Sequence, residues 1–119
     1  MNHRILFSDL RYRGLVKSVR REYHVLEGSQ HYVLVSPGQQ SGGNYTIVLK
    51  RALDYLMRRL GGRRSVTSAT AFAACRRSKY FQNRFAVLNA LYALVGIGAA
   101  QISKMVGPTL FFDIRKHAG

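Results

Sequence analysis

The stretch from Ser78 to Lys116 constrains the fold most, because its hydrophobic period changes partway along. Phe81, Phe85, Leu88, Tyr92 and Val95 recur at steps of four, three, four and three, so they line one side of a 3.6-residue helix. That side is expected to be buried. The opposite arc carries Lys79, Gln82, Asn83, Ala86 and Asn89, polar or small residues without an acid, which suits a helix that approaches something anionic. Gly96 and Gly98 punctuate the helix end, and beyond them the period becomes 2. Ile102, Lys104 and Val106 alternate with Gln101, Ser103 and Met105, and Leu110, Phe112 and Ile114 alternate with Phe111, Asp113 and Arg115. Val106-Gly107-Pro108-Thr109 supplies turn chemistry between the runs. The spacing predicts one long helix from Ser78 that leads directly into a β-hairpin.

Charge narrows the function. The 119 residues hold 19 Lys+Arg against 5 Asp+Glu, a formal net charge of +14, and 14 of the cations are arginine. Self-repulsion of that size in a domain with 47% hydrophobic residues is relieved by a polyanion, of which nucleic acid is the commonest. Arginine also grips phosphate bidentately, where lysine acts as a point charge. The single Cys75 cannot form an internal disulfide and sits in a run of small residues, so it reads as packing in a reducing compartment. Ile5-Leu6-Phe7 is too short an apolar run for a secretory leader. The apolar stretch Phe85 to Ala100 has 16 residues and includes Asn89, short of the roughly 20 that a spanning helix requires. A cytoplasmic or nucleoid-associated location without membrane contact is expected.

Upstream, Tyr23–Glu27 and His31–Val35 flank Gly28-Ser29-Gln30 and predict a hairpin; His24 and His31 could face each other across it, but surface polar positions explain them more simply. Before it, Leu15, Val16, Val19 and Tyr23 have helical spacing with Ser8 as a cap, while a strand over 13–19 competes; the residues leave both open. Arg11, Arg13, Lys17, Arg20 and Arg21 here would widen a binding surface. The run PGQQSGGN from Pro37 to Asn44 reads as a hinge, dividing a β-rich extension, 1–43, from a second domain, 44–119. From Thr46 on, Leu49, Ala52, Leu53, Leu56, Met57 and Leu60 predict an amphipathic helix that Gly61-Gly62 ends, with Asp54 placed to pair with Lys50 or Arg58. Val66-Thr67-Ser68 then introduces a short helix over 69–76, capped by Thr67 or Ser68, and Arg76-Arg77-Ser78 turns the chain into the long helix.

This order from Thr46 resembles a winged helix-turn-helix DNA-binding domain over about 70 of the 119 residues. Val66-Thr67-Ser68 looks like the family's small strand and helix cap, and Leu88 to Gly96 like the end of its recognition helix. Arg84 near the edge of the apolar arc and a short turn with Pro108 depart from the pattern. The resemblance implies an α+β fold, a winged helix of three helices and a C-terminal β-hairpin behind an N-terminal β-rich extension. It also implies that Lys79, Gln82 and Asn83 meet base edges, while Arg63, Arg64, Arg76, Arg77 and Lys104 hold phosphates. The function expected is duplex DNA binding in transcription or nucleoid organisation, without cofactor or metal. Ala90, Ala93 and Leu94 would allow a helix-mediated homodimer. The alternative is an RNA-binding or ribosome-associated protein in which Tyr12, Tyr23, Tyr32, Tyr45 and Tyr80 stack on unpaired bases. An enzyme is not expected, because Asp9, Glu22, Glu27, Asp54 and Asp113 are scattered and His3, His24, His31 and His117 form no metal box with Cys75.

Overall fold

A computed structural model describes residues 9–37 and 44–117. The chain opens with four strands, β1 (Arg11–Lys17), β2 (Glu22–Glu27), β3 (His31–Ser36) and β4 (Asn44–Leu49), joined as an antiparallel meander in sequence order. Three helices follow, α1 (Lys50–Leu60), α2 (Ser68–Cys75) and α3 (Arg84–Gly96), and then a separate hairpin of β5 (Ala100–Val106) and β6 (Thr109–Ile114). The expected winged helix with a β-rich extension is thereby corrected. A four-stranded sheet precedes the helices and is no appendage, because Val16, Val25, Leu34 and Val48 bury into the same cluster as Leu56, Leu91 and Phe112.

The strand alternative for residues 13–19 prevails, with a bulge between Tyr12 and Gly14. Capping by Ser8 falls outside the described residues. The β2–β3 hairpin forms, but Glu27 pairs with Tyr32 and His24 with Val35, so His24 and His31 do not face each other. His31 pairs with Leu49 of β4 instead. Most of the hinge lies outside the described residues; Ser36, just before it, and Asn44, its last residue, are cross-strand partners.

The helix expected from Thr46 begins only at Lys50, since Thr46-Ile47-Val48 belongs to β4. Its stripe of Ala52, Leu53, Leu56 and Leu60 is buried, worth roughly 1.5 to 3 kcal/mol for each large side chain. Lys50 pairs with Glu27 rather than Asp54. Thr67 caps α2 in a box with Thr70, each hydroxyl accepting from the other residue's backbone N–H. Just before it, Val66 and Phe112 exchange two main-chain hydrogen bonds of 2.8 and 2.7 Å, which tie the α1–α2 link to β6. Cys75 is buried, and burial pushes its thiol pKa up.

The long helix starts at Arg84, not Ser78. Phe81 is buried but precedes the helix, and Phe85, expected inside, is 75% exposed. Of the rest of the expected stripe, Tyr92 is buried and Leu88 and Val95 pack against the core, and Val87, Ala90, Leu91 and Leu94 are buried beside them. Ala90, Ala93 and Leu94 are therefore occupied by the chain's own core and offer nothing to a second copy. At its far end α3 meets the sheet backbone to backbone. A Cβ on Gly14 would stand 2.6 Å from the carbonyl oxygen of Gly96, and one on Gly96 would run into the Val25 side chain.

Candidate nucleic-acid interface

Asn83 decides where the exposed end of α3 begins. Its side-chain oxygen accepts from the Ala86 N–H at 2.9 Å, the geometry of an N-cap, so this oxygen is committed to the helix rather than to a base. Gln82 and Arg84 on either side are exposed, as is Phe85, and the first turn carries no acid. The positive end of the helix dipole is thus uncompensated by acidic side chains of its own turn.

That turn forms a ridge between two grooves. One side groove is lined by Arg84, Leu88 and Tyr92 of α3, by Thr67 and Ser68 at the start of α2, and by Pro108 and Thr109 at the hairpin tip. It adjoins a cleft that shares Val19, Tyr92 and Pro108 with it and adds Arg20, Arg21 and Tyr23. No acid lines either one. The β1–β2 turn is held here by local bonds: Ser18 N–H donates to the Arg21 carbonyl at 2.8 Å, and the Tyr92 hydroxyl donates to Ser18 Oγ at 3.0 Å. Tyr23 stacks on Tyr92 with ring centres 5.0 Å apart and completes the floor. Arg20 and Arg21 in one and Arg84 in the other, from distant parts of the chain, thereby line two adjoining acid-free grooves.

The residues expected to contact nucleic acid are all exposed, yet they do not form one patch. Lys79 lies beyond the ridge, in the opposite groove, with its ammonium 5.6 Å from the Tyr80 ring centre. Arg76 and Arg77 occupy the α2–α3 connection. Arg63 and Arg64 follow α1, where Arg64 shares a pocket with Arg115 and Lys116 at the open end of the hairpin. β5 separates that end from the Gly107-Pro108 turn, a span of about 20 Å at 3.3 Å per residue. Lys104 sits on this strand, its ammonium 4.7 Å from the Phe111 ring centre.

The acids are arranged to leave these cations alone. All three ion pairs among the described residues end on Glu27, whose carboxylate holds Arg11, Arg13 and Lys50. Lys50 first, then Arg13 and Arg11, lower its pKa to about 2 against the opposing effect of burial. Asp113 accepts from the Ser65 N–H at 2.9 Å. Arg20, Arg21, Arg63, Arg64, Arg76, Arg77, Lys79 and Arg84 have no ion-pair partner among the described residues.

The residue pattern groups Arg20 and Arg21 on a broad basic surface but does not single out Arg84, which lines the adjoining groove. The signal was Asn83, a preferred N-cap residue that sets Arg84 in the first turn. Of the tyrosines considered for base stacking, Tyr32 is buried, Tyr23 lies against Tyr92 and Tyr80 against Tyr55, while Tyr12 and Tyr45 are about half exposed. Among the described residues no three His, Cys, Asp or Glu side chains stand close enough to hold a metal ion, and no helix is long and apolar enough to cross a membrane. No protein-family model, curated protein or solved structure matches the chain.

Proposed function

We propose that the protein binds nucleic acid through its phosphates and takes duplex DNA in preference to RNA. The observation that carries this reading is the pair of adjoining acid-free grooves, one lined by Arg84 in the exposed first turn of α3 and the other by Arg20 and Arg21 beside Tyr92. Phosphates would lie along these grooves, each neutralised by a guanidinium, while Gln82 and the free amide N–H groups of Asn83 project from the ridge. A ridge of that kind enters the wide major groove of B-form DNA and is excluded from the deep narrow groove of A-form RNA. The cations at the two ends of β5, about 20 Å apart, would contact a duplex over roughly half of its 34 Å turn. Base stacking by tyrosines is a weaker alternative, because three of the five candidate rings are packed against the body. A nucleoid-associated or cytoplasmic place and a regulatory or architectural role accompany this proposal.

Fluorescence anisotropy with DNA and RNA duplexes of one sequence, over a series of salt concentrations, tests it. Affinity for DNA is expected to exceed that for RNA at equal salt and to fall steeply as salt rises. Replacing Arg20, Arg21 and Arg84 together with serine should flatten the log–log salt slope by about 3, near 0.9 for each lost phosphate. A flat salt response in the unaltered protein would remove nucleic acid as partner. Tighter binding to structured or single-stranded RNA would instead favour the ribonucleoprotein alternative.

A further inference from the structure

The two edges of the four-stranded sheet are built differently. β1 carries Arg11, Arg13 and Lys17 and is interrupted by a bulge, devices that keep a free edge from pairing with another strand. β4 has neither. Asn44-Tyr45-Thr46-Ile47-Val48-Leu49 contains no charge and no proline, and its register against β3 runs unbroken from Ser36–Asn44 to His31–Leu49.

The main-chain direction follows from one bond. Lys50 N–H donates to the Gln30 carbonyl at 3.0 Å, in line with the β3–β4 register. Alternation in an antiparallel pair then gives the bonds to Val48 and Thr46, and turns both main-chain groups of Ile47 and the N–H of Leu49 away from β3, while the Leu49 carbonyl opens α1 as its N-cap. Beside this edge runs the second groove along the α3 ridge, about 480 Å³, between Thr46–Leu49 on one wall and Phe85, Ala86 and Asn89 on the other. Its apolar rim is open to solvent: Leu49 is 49% and Phe85 75% exposed. Among the described residues, Lys79 is the one charged residue that lines it.

We propose that this groove docks an extended acidic segment of a partner protein, which joins the sheet as a fifth strand beside β4. Main-chain bonds to Ile47 and Leu49 would hold the segment, alternate apolar side chains would cover Leu49 and Phe85, and an acidic side chain would reach Lys79. A second copy of this chain fits poorly, because edge-to-edge pairing would bring one +14 body against another. This inference is independent of nucleic-acid binding.

The test uses two labelled peptides, one alternating valine with glutamate and one of the same length and acid content with proline in place of alternate valines. Anisotropy without nucleic acid should show binding of the first at least about tenfold tighter than the second, since proline cannot complete a strand ladder. Ile47→Pro removes only an outward N–H, and Lys79→Glu reverses the rim charge; each should weaken the first peptide about tenfold, with the folded state verified by circular dichroism. Amide exchange in the unaltered protein should slow at Ile47 and Leu49 when that peptide is present, a readout that does not depend on either variant folding. Equal affinity for the two peptides, unchanged exchange at Ile47 and Leu49, or concentration-dependent self-association that excludes the peptide would each overturn the proposal.

Discussion

The two halves of α3 have opposite neighbours. Its amino-terminal turn presents Arg84 and Phe85 to solvent between two grooves, whereas Ala90 to Leu94 are buried without a break and Gly96 lies against the sheet backbone. One helix therefore serves as core at one end and as a projecting ridge at the other. The difference teaches that the ridge takes its position from contacts made well away from it. Substitutions at the two ends should separate stability from binding.

Gly96→Ala is the largest expected disturbance. Its methyl group has no room beside Val25, so helix and sheet must part, and a loss of about 3 kcal/mol is expected in urea unfolding. An unchanged midpoint would show that the close approach is not what seats α3. Asn83→Ala should cost about 1 kcal/mol, the usual value of an N-cap, and Asn83→Asp should recover most of it. If the alanine variant kept full stability yet lost sequence preference in DNA binding, Asn83 would be a reader of bases and not a cap. Phe85→Ser is the smallest: at 75% exposure its stability effect should stay within about 0.5 kcal/mol, while acidic-peptide binding falls. A large destabilisation there would mean that the ridge is packed in solution.

Where the hydrophobic period had only one reading, the sequence was legible. Leu53, Leu56 and Leu60 located the buried face of α1, and Leu110, Phe112 and Ile114 that of β6. α3 was misread at its start: of the expected stripe Tyr92 is buried and Leu88 and Val95 pack against the core, but Phe85 is exposed. The helix is apolar almost all round, so Val87-Leu91-Leu94 forms a second stripe, and only the tertiary partners show that both are covered beyond the first turn. β4 was missed for another reason: strand passes into helix at Leu49–Lys50 without a turn residue, so the α1 pattern absorbed the β-branched run before it. Of the candidate interface, the arginines were visible as composition. Their grouping was not, since Arg20 and Arg84 come together only when the β1–β2 turn meets Tyr92 and the hairpin tip.

The bonds between the α1–α2 link and β6 also bear on the order in which the molecule assembles. Asp113 reaches Ser65 across 48 residues of chain, while β1–β2 and β2–β3 close through short local turns. Each doubling of a loop adds about 0.6 kcal/mol to its closure, so this clasp costs about 2 kcal/mol more to form than a four-residue hairpin. Non-local closures of this kind come late in folding. α2 and all of α3 lie inside the loop, and α3 is held to the sheet as well, through Gly96 and the Tyr92–Ser18 bond. The groove walls that α2, α3 and the hairpin tip supply are thus expected to be completed after the meander, and a chain that has folded only its meander has no groove to offer.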